Sequence, residues 1–214
     1  MNSLKAIVES IMPRLEHLSE RQKRVLQSAV ILFSEQGYDK TTTKDIAQHA
    51  QVAEGTVFKH FKNKQTLLYA GLIPILKNNV IPVALTEFKT ELTLTNDLKT
   101  FIDKFVDNRS QFIYDNRVLI KVLLNEALTS VQLQTIVINL FTENLLAQLT
   151  PLLQKLIDQG YMRDVNKEYA IRTIVAQTFN LNLPLILDAT KTRDKAFEDF
   201  ATFIKESLYY SLKA

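Results

Sequence analysis

The chain has no cysteine and no tryptophan, and only four glycines, five prolines and three histidines among 214 residues. Without cysteine, disulfides, thiolate nucleophiles and thiolate metal ligands are excluded. So little Gly and Pro is too few turn formers for a many-stranded β fold. The histidines, at positions 17, 49 and 60, do not have metal-ligand spacing. A Gly-rich phosphate loop and a serine-nucleophile context are also missing, and the pair Glu198-Asp199 falls on a charged helix face. Catalytic residues, a metal and a cofactor are therefore not expected, and the chain does not read as an enzyme. No apolar run approaches the roughly 18 residues that span a bilayer. Near the N-terminus Glu9 interrupts Ile7, Val8, Ile11 and Met12, and no cleavage pattern follows. A cytoplasmic protein with no membrane partner is expected.

What is present is ordinary in amount and uneven in placement. Hydrophobic residues make up 46% and charged residues 23%, enough for a real core. The formal charge is +3; residues 1–66 hold ten Lys/Arg against seven Asp/Glu, and residues 67–214 hold sixteen of each. A basic head on a neutral body suits a polyanionic partner.

Helical periodicity runs through the chain. Leu4, Ile7, Val8 and Ile11 form a short amphipathic extension stopped by Pro13. Ser19-Glu20-Arg21-Gln22 has the form of a capping box, followed by the stripe Val25, Leu26, Ala29, Leu32, Phe33 and a stop at Gly37. Thr42 is a second N-cap, with Asp45 at the third helical position, and the stripe Ile46, Ala47, Ala50 allows about two turns. Gln51-Val52-Ala53 breaks the period, and Val57 and Phe61 restart it. Two short helices around a three-residue turn are a helix-turn-helix. Beyond Lys64 a helix runs towards Asn79 with Pro74 inside it, and Gly71 and Pro74 are candidate bending points. Further helices are predicted near 96–114, 116–128, 130–159, 166–190 and 193–212, with Asn96, Asn116, Ser130 and Asn166 as N-caps and Gly160 as a stop.

The second short helix carries Glu54, Gly55, Thr56, Lys59 and His60 away from Val57 and Phe61. Lys, His and Thr can donate to phosphates, and Thr and Glu can read base edges. The run GYDKTTTKDIAQHAQVAEGTVFKHFKNKQTLL resembles the N-terminal domain of TetR-type (tetracycline-repressor family) transcriptional regulators over roughly residues 21–70. Its matching features are Phe33-x-x-x-Gly37-Tyr38, Thr42, Ile46-Ala47, Val52, Gly55-Thr56, His60-Phe61, Lys64 and Leu67. Beyond it, only the helix number and the run Gly160-Tyr161-Met162-Arg163 are similar.

The resemblance implies an all-α protein: a three-helix DNA-binding domain at 19–66 behind the extension 1–18, then a helical ligand-binding and dimerisation domain at 67–214. It implies a homodimer on double-stranded DNA, one recognition helix per half-site of a near-palindromic operator. By motif position the DNA-facing residues are Thr42, Thr43, Lys44, Glu54, Gly55, Thr56, Phe58, Lys59, His60 and Lys64. Lys44, Glu54, Thr56 and Lys59 are candidates for bases; Thr42, His60 and Lys64 are candidates for phosphates. Three positions depart from common family usage. Gln51 stands where Gly is frequent and must accept a left-handed backbone at a cost of about 1–2 kcal/mol. Ala53 stands where Ser is frequent and cannot cap. Phe58 stands where Tyr is frequent and offers no hydroxyl.

In the body, Leu133, Val137, Leu140, Asn144 and Gln148 follow at spacings of three or four, so two amides continue an apolar stripe. Gln177, Asn180 and Asn182 lie near Pro184. Asn144, Gln148, Gln177 and Asn180 are the candidate contacts to a small-molecule effector, expected to be hydrophobic, with helix-to-helix hydrogen bonds as the alternative. The last two helices are the expected dimerisation elements. A second reading of the whole chain is a helical protein-interaction module with a degenerate DNA-binding head.

Overall fold

The computed structural model describes residues 4–75, 78, 81–139 and 144–214, and among them it is helical throughout with no strand. The chain divides into two units: Met1–Ala84 with Val118–Glu126, and Leu85–Arg117 with Ala127–Ala214.

In the first unit the extension forms α1 (Leu4–Ile11) and a 3₁₀ turn (Met12–Arg14). Ile7, Val8, Met12 and Leu15 are buried, so the extension packs. Lys23 Nζ donates to the Pro13 carbonyl at 3.2 Å, tying it to α2 (Glu20–Gln36). The expected capping box opens α2: Gln22 N–H donates to Ser19 Oγ at 3.3 Å, and Ser19 N–H donates to Gln22 Oε1 at 2.9 Å. Gly37 closes it at φ 87°, a conformation that a side chain would strain.

After α3 (Thr43–His49) and α4 (Glu54–His60), a helical stretch runs in three parts: α5 (Lys64–Thr66), a π-helical segment (Leu67–Leu72) and α6 (Ile73–Ile75). The Ile73 N–H donates to the Leu68 carbonyl, five residues back. Pro74 explains the widened turn, because it has no N–H and its ring would meet the carbonyl four residues earlier. Proline was expected to kink or divide this helix, and a change of helical register is the form the disturbance takes. Of the expected continuation to Asn79, only Asn78 lies among the described residues.

Gly71 has a packing role. A Cβ there would lie 2.6 Å from Leu26 Cδ2 and 2.8 Å from Phe61 Cε1. The missing side chain lets the helix sit directly on α2 and on the residue that ends α4.

The second unit contains most of α7 (Ile81–Thr93) and α8 (Leu98–Thr129), then α9 (Val131–Asn139), α10 (Ala147–Asp158), α11 (Lys167–Leu187) and α12 (Lys195–Leu212). Its core joins Phe88, Phe101, Phe105, Leu153, Ile174 and Ile204 from five helices. Two expectations are corrected here. The predicted helices 96–114 and 116–128 are one helix, α8. Asn116 is buried inside it and donates to the Phe112 carbonyl at 2.7 Å; tertiary burial overrides its small helix penalty. Asp97, one residue after Asn96, caps α8 by accepting from Thr100 N–H at 2.8 Å. Asn166 and Ser130 cap as expected, and Gly160 at φ 75° ends α10.

Candidate nucleic-acid interface

Local chemistry builds α3, the turn and α4 in sequence. Thr42 N–H donates to Asp45 Oδ2 at 2.8 Å, and Asp45 N–H donates to Thr42 Oγ1 at 3.1 Å. The Thr42 backbone N–H, and then its hydroxyl, hold the Asp45 carboxyl below its ordinary value. Ile46 and Ala47 bury themselves against α2. His49 Nδ1 lies 3.0 Å from the buried Ser28 Oγ, a second tie to α2. His49 therefore belongs to packing.

The turn is a Schellman closure. Gln51 N–H donates to the Gln48 carbonyl at 3.1 Å, Val52 N–H donates to the Ala47 carbonyl at 3.0 Å, and Gln51 takes φ 54°. The left-handed residue that the family resemblance implies is the one observed. Ala53 precedes α4 with no side-chain cap, as its methyl group requires. Val57 at 0% exposure and Phe61 at 6% fasten α4 to the unit; burial of one such side chain is worth about 1.5–3 kcal/mol.

This anchoring sets what α4 leaves outside. Glu54, Gly55, Lys59 and His60 are exposed and Thr56 is half-buried; on α3, Thr42 and Lys44 are exposed and Thr43 is half-buried. Phe58 lies on α4, but its side chain falls outside the described residues. The Thr42 hydroxyl is engaged within its own cap, on both the Asp45 N–H and the Asp45 carboxylate. Lys64 is more constrained than the sequence suggests. Its Nζ donates to the Tyr38 carbonyl at 2.6 Å and stands 4.1 Å over the Tyr38 ring. Two of its three N–H groups remain available. Tyr38 itself is pushed up to about 12, first by burial and then by Glu126, Tyr69 and Asp39. Sequence reasoning placed Tyr38 in the motif without seeing that it holds Lys64; the adjacent Gly37 was the signal that the chain turns there.

Residues 25–70 match the family model for bacterial regulatory proteins of the tetR family. The N-terminal domain is of the TetR type. The chain is 52% identical over 50 residues to the HTH-type transcriptional regulator YvkB of Bacillus subtilis, covering 23% of this chain and 26% of that protein. It is 29% identical over 158 residues to the transposon Tn10 TetC protein of Escherichia coli, covering 71% of this chain and 75% of that protein. The first curated relatives are spanned over less than half of their length. The likeness to solved structures is one of fold. The transcriptional regulator FadR from Bacillus subtilis, solved with stearoyl-CoA, superposes with a TM-score of 0.65 at 19% identity, covering 87% of this chain and 96% of that one.

The effector candidates of the body differ in exposure. Asn144 is half-buried and donates to the Asn139 carbonyl at 3.3 Å; Gln148 is half-buried as well. Leu140 and the Val137 side chain, which would complete their stripe, lie outside the described residues. Gln177 and Asn180 are exposed on α11. The interior amide near Pro184 is Asn182, at 0% exposure. Its Nδ2 donates to Ser110 Oγ and to the Thr178 carbonyl, both at 2.8 Å, and its Oδ1 has no partner among the described residues. Among the described residues no helix is long and apolar enough to cross a membrane.

Proposed function

We propose that this chain is a sequence-specific DNA-binding transcriptional regulator, a ligand-responsive repressor that binds a near-palindromic operator as a homodimer. The observation carrying this reading is the division of α4: Val57 and Phe61 fix it from inside, while Glu54, Gly55, Lys59 and His60 stand outside beside the exposed Thr42 and Lys44. Cations and hydroxyls suit phosphates; Glu54, Thr56, Lys44 and Lys59 suit base edges. Residues 19–66 act as the DNA-binding domain, 1–18 as a packed extension of it, and 67–214 as the ligand-binding and dimerisation domain. The chain catalyses no reaction and works in the cytoplasm, where its DNA is.

Dimerisation is placed on α11 and α12. Ile171, Ile174, Ala201, Ile204 and Leu208 of these helices fill the protomer's own core. A second apolar set is left outside on the same helices: Tyr169, Phe179 and Leu187 on α11, and Phe200, Phe203 and Tyr210 on α12. Phe200 and Phe203 stack with centroids 6.4 Å apart. So many large apolar groups on two adjacent helices suit burial against a second copy. The effector is a largely hydrophobic small molecule; FadR, with its bound stearoyl-CoA, is a fold neighbour consistent with that class. It acts by preferring a body whose two heads are wrongly spaced, and weakens operator binding by that preference and no more.

The deciding experiment is selection of bound duplexes from a randomised pool by the purified chain at near-physiological salt. Enrichment of one inverted repeat is expected, with half-sites about 34–36 Å apart or a multiple of it. Binding without enrichment reduces the contact to electrostatics. Absence of binding transfers the assignment to a protein-interaction module.

A further inference from the structure

Arg109 of α8 is a half-buried charge that no carboxylate touches directly. Its guanidinium carbon lies 3.9 Å from the centroid of Phe88 and 4.7 Å from that of Phe112, so aromatic rings cover it. Nε and Nη2 both donate to Asn108 Oδ1, the oxygen of a neutral amide. Glu91 is reached only through Asn108, whose Nδ2 donates to its carboxylate. Two other arginines of this unit are ion-paired directly: Arg193 touches Glu198 at 3.0 Å and Arg172 touches Glu168 at 2.8 Å. Burial pulls Arg109 down to about 10, and Glu91 offsets only part of that. Nη1 has no protein partner among the described residues, and it is not sealed in as Arg117 Nε and Arg193 Nε are.

We propose that Arg109 is an anion anchor for the effector, taking the carboxylate or phosphate head of an amphiphile whose apolar part lies against the half-buried Phe112. The inference rests on reading this unit as the ligand-responsive one. A largely buried guanidinium with aromatic faces and a free Nη1 has no carboxylate in direct contact, and an anion would supply one at low dielectric. Asn108 fixes the plane of the fork, so the free N–H groups are held in a defined direction. The effector class narrows from hydrophobic to hydrophobic and anionic.

The test is calorimetric titration of the full chain with four probes that share one tail: octanoate, octyl phosphate, 1-octanol and octylamine. Wild type is expected to bind at least one of the two anions tenfold or more tightly than the alcohol, and not to favour the amine. The preference should vanish in Arg109→Gln and survive in part in Arg109→Lys, which keeps the charge and loses the fork. Thermal melts establish that each variant is folded; if Arg109→Gln is not, the weakened preference of Arg109→Lys decides. Equal binding of octanoate, octyl phosphate and octanol overturns the proposal, as does failure of both anions to bind or an unchanged preference in the folded variants. A preference for only one anion names the head group. Duplex binding by the same preparations is scored separately, so loss of the anion site and loss of the DNA-binding reading are told apart.

Discussion

Two helical glycines of the same unit should respond to the same substitution with opposite signs. Around Gly55 an added Cβ meets nothing within 4 Å, whereas at Gly71 it meets Leu26 Cδ2 at 2.6 Å and Phe61 Cε1 at 2.8 Å. Gly→Ala in a helix gains about 0.5–1 kcal/mol. Gly55 sits in the first turn of α4, so the lower figure, about 0.5 kcal/mol, applies there. At Gly71 that gain competes with overpacking of about 1–3 kcal/mol. Leu26 is 1% exposed and Phe61 6%, so neither can swing away cheaply, and a net loss of about 1–2 kcal/mol is expected. The fold thus has no use for a glycine at 55, and the reason for one lies outside the fold. If it is close approach of the backbone to DNA, Gly55→Ala melts at or above the wild-type temperature and binds its selected duplex about tenfold more weakly, or about 1.4 kcal/mol. Calorimetric melts and fluorescence anisotropy at one fixed salt concentration measure both quantities. Undiminished duplex affinity in Gly55→Ala refutes the DNA-facing reading of this position. An unchanged or raised melting temperature in Gly71→Ala refutes the packing argument.

Gln51→Gly should relieve the left-handed strain at φ 54° and stabilise by about 0.5–1 kcal/mol after the entropy of glycine is deducted; denaturant melts would detect it. Ser110→Ala removes one of two acceptors of the buried Asn182 Nδ2 and should cost about 1–3 kcal/mol, whereas Ser110→Ala with Asn182→Leu should recover most of that loss in the same melts. The Asp45 carboxyl is lowered on folding, so its contribution is full above the ordinary carboxylate range and disappears as pH falls through the folded value. The stability gap between wild type and Asp45→Asn should be present at neutral pH and close in strong acid. Phe203→Glu, on the exposed face of α12, should shift sedimentation from dimer to monomer while leaving the helical content measured by circular dichroism intact.

Local chemistry wrote much of the head into the sequence. The Ser19/Gln22 and Thr42/Asp45 boxes and the stop at Gly37 involve partners within five residues, so spacing alone specifies them, whereas the left-handed Gln51 was implied by the resemblance to the TetR family. The exposed face of α4 was legible too, because Val57 and Phe61 fix its phase. The undivided α8 was not, since Asn116 makes a plausible cap as a residue type and only burial makes it helical. Among the amides near Pro184, the one turned inward is Asn182, while Gln177 and Asn180 face outward. That choice depends on Ser110, seventy-two positions away in the chain.

The sequence by itself determined the helix-turn-helix, its polarity of inner and outer faces, and the all-helical body, because these follow from periodicity and capping within a few residues. Tertiary structure alone decided that Gly71 exists to let a helix touch Leu26 and Phe61, that Lys64 is held by the Tyr38 carbonyl, and that Arg109 rests on aromatic rings with an amide where an acid is usual. Each of these depends on groups distant in the chain meeting where water is scarce. Side-chain spacing carries no record of that environment.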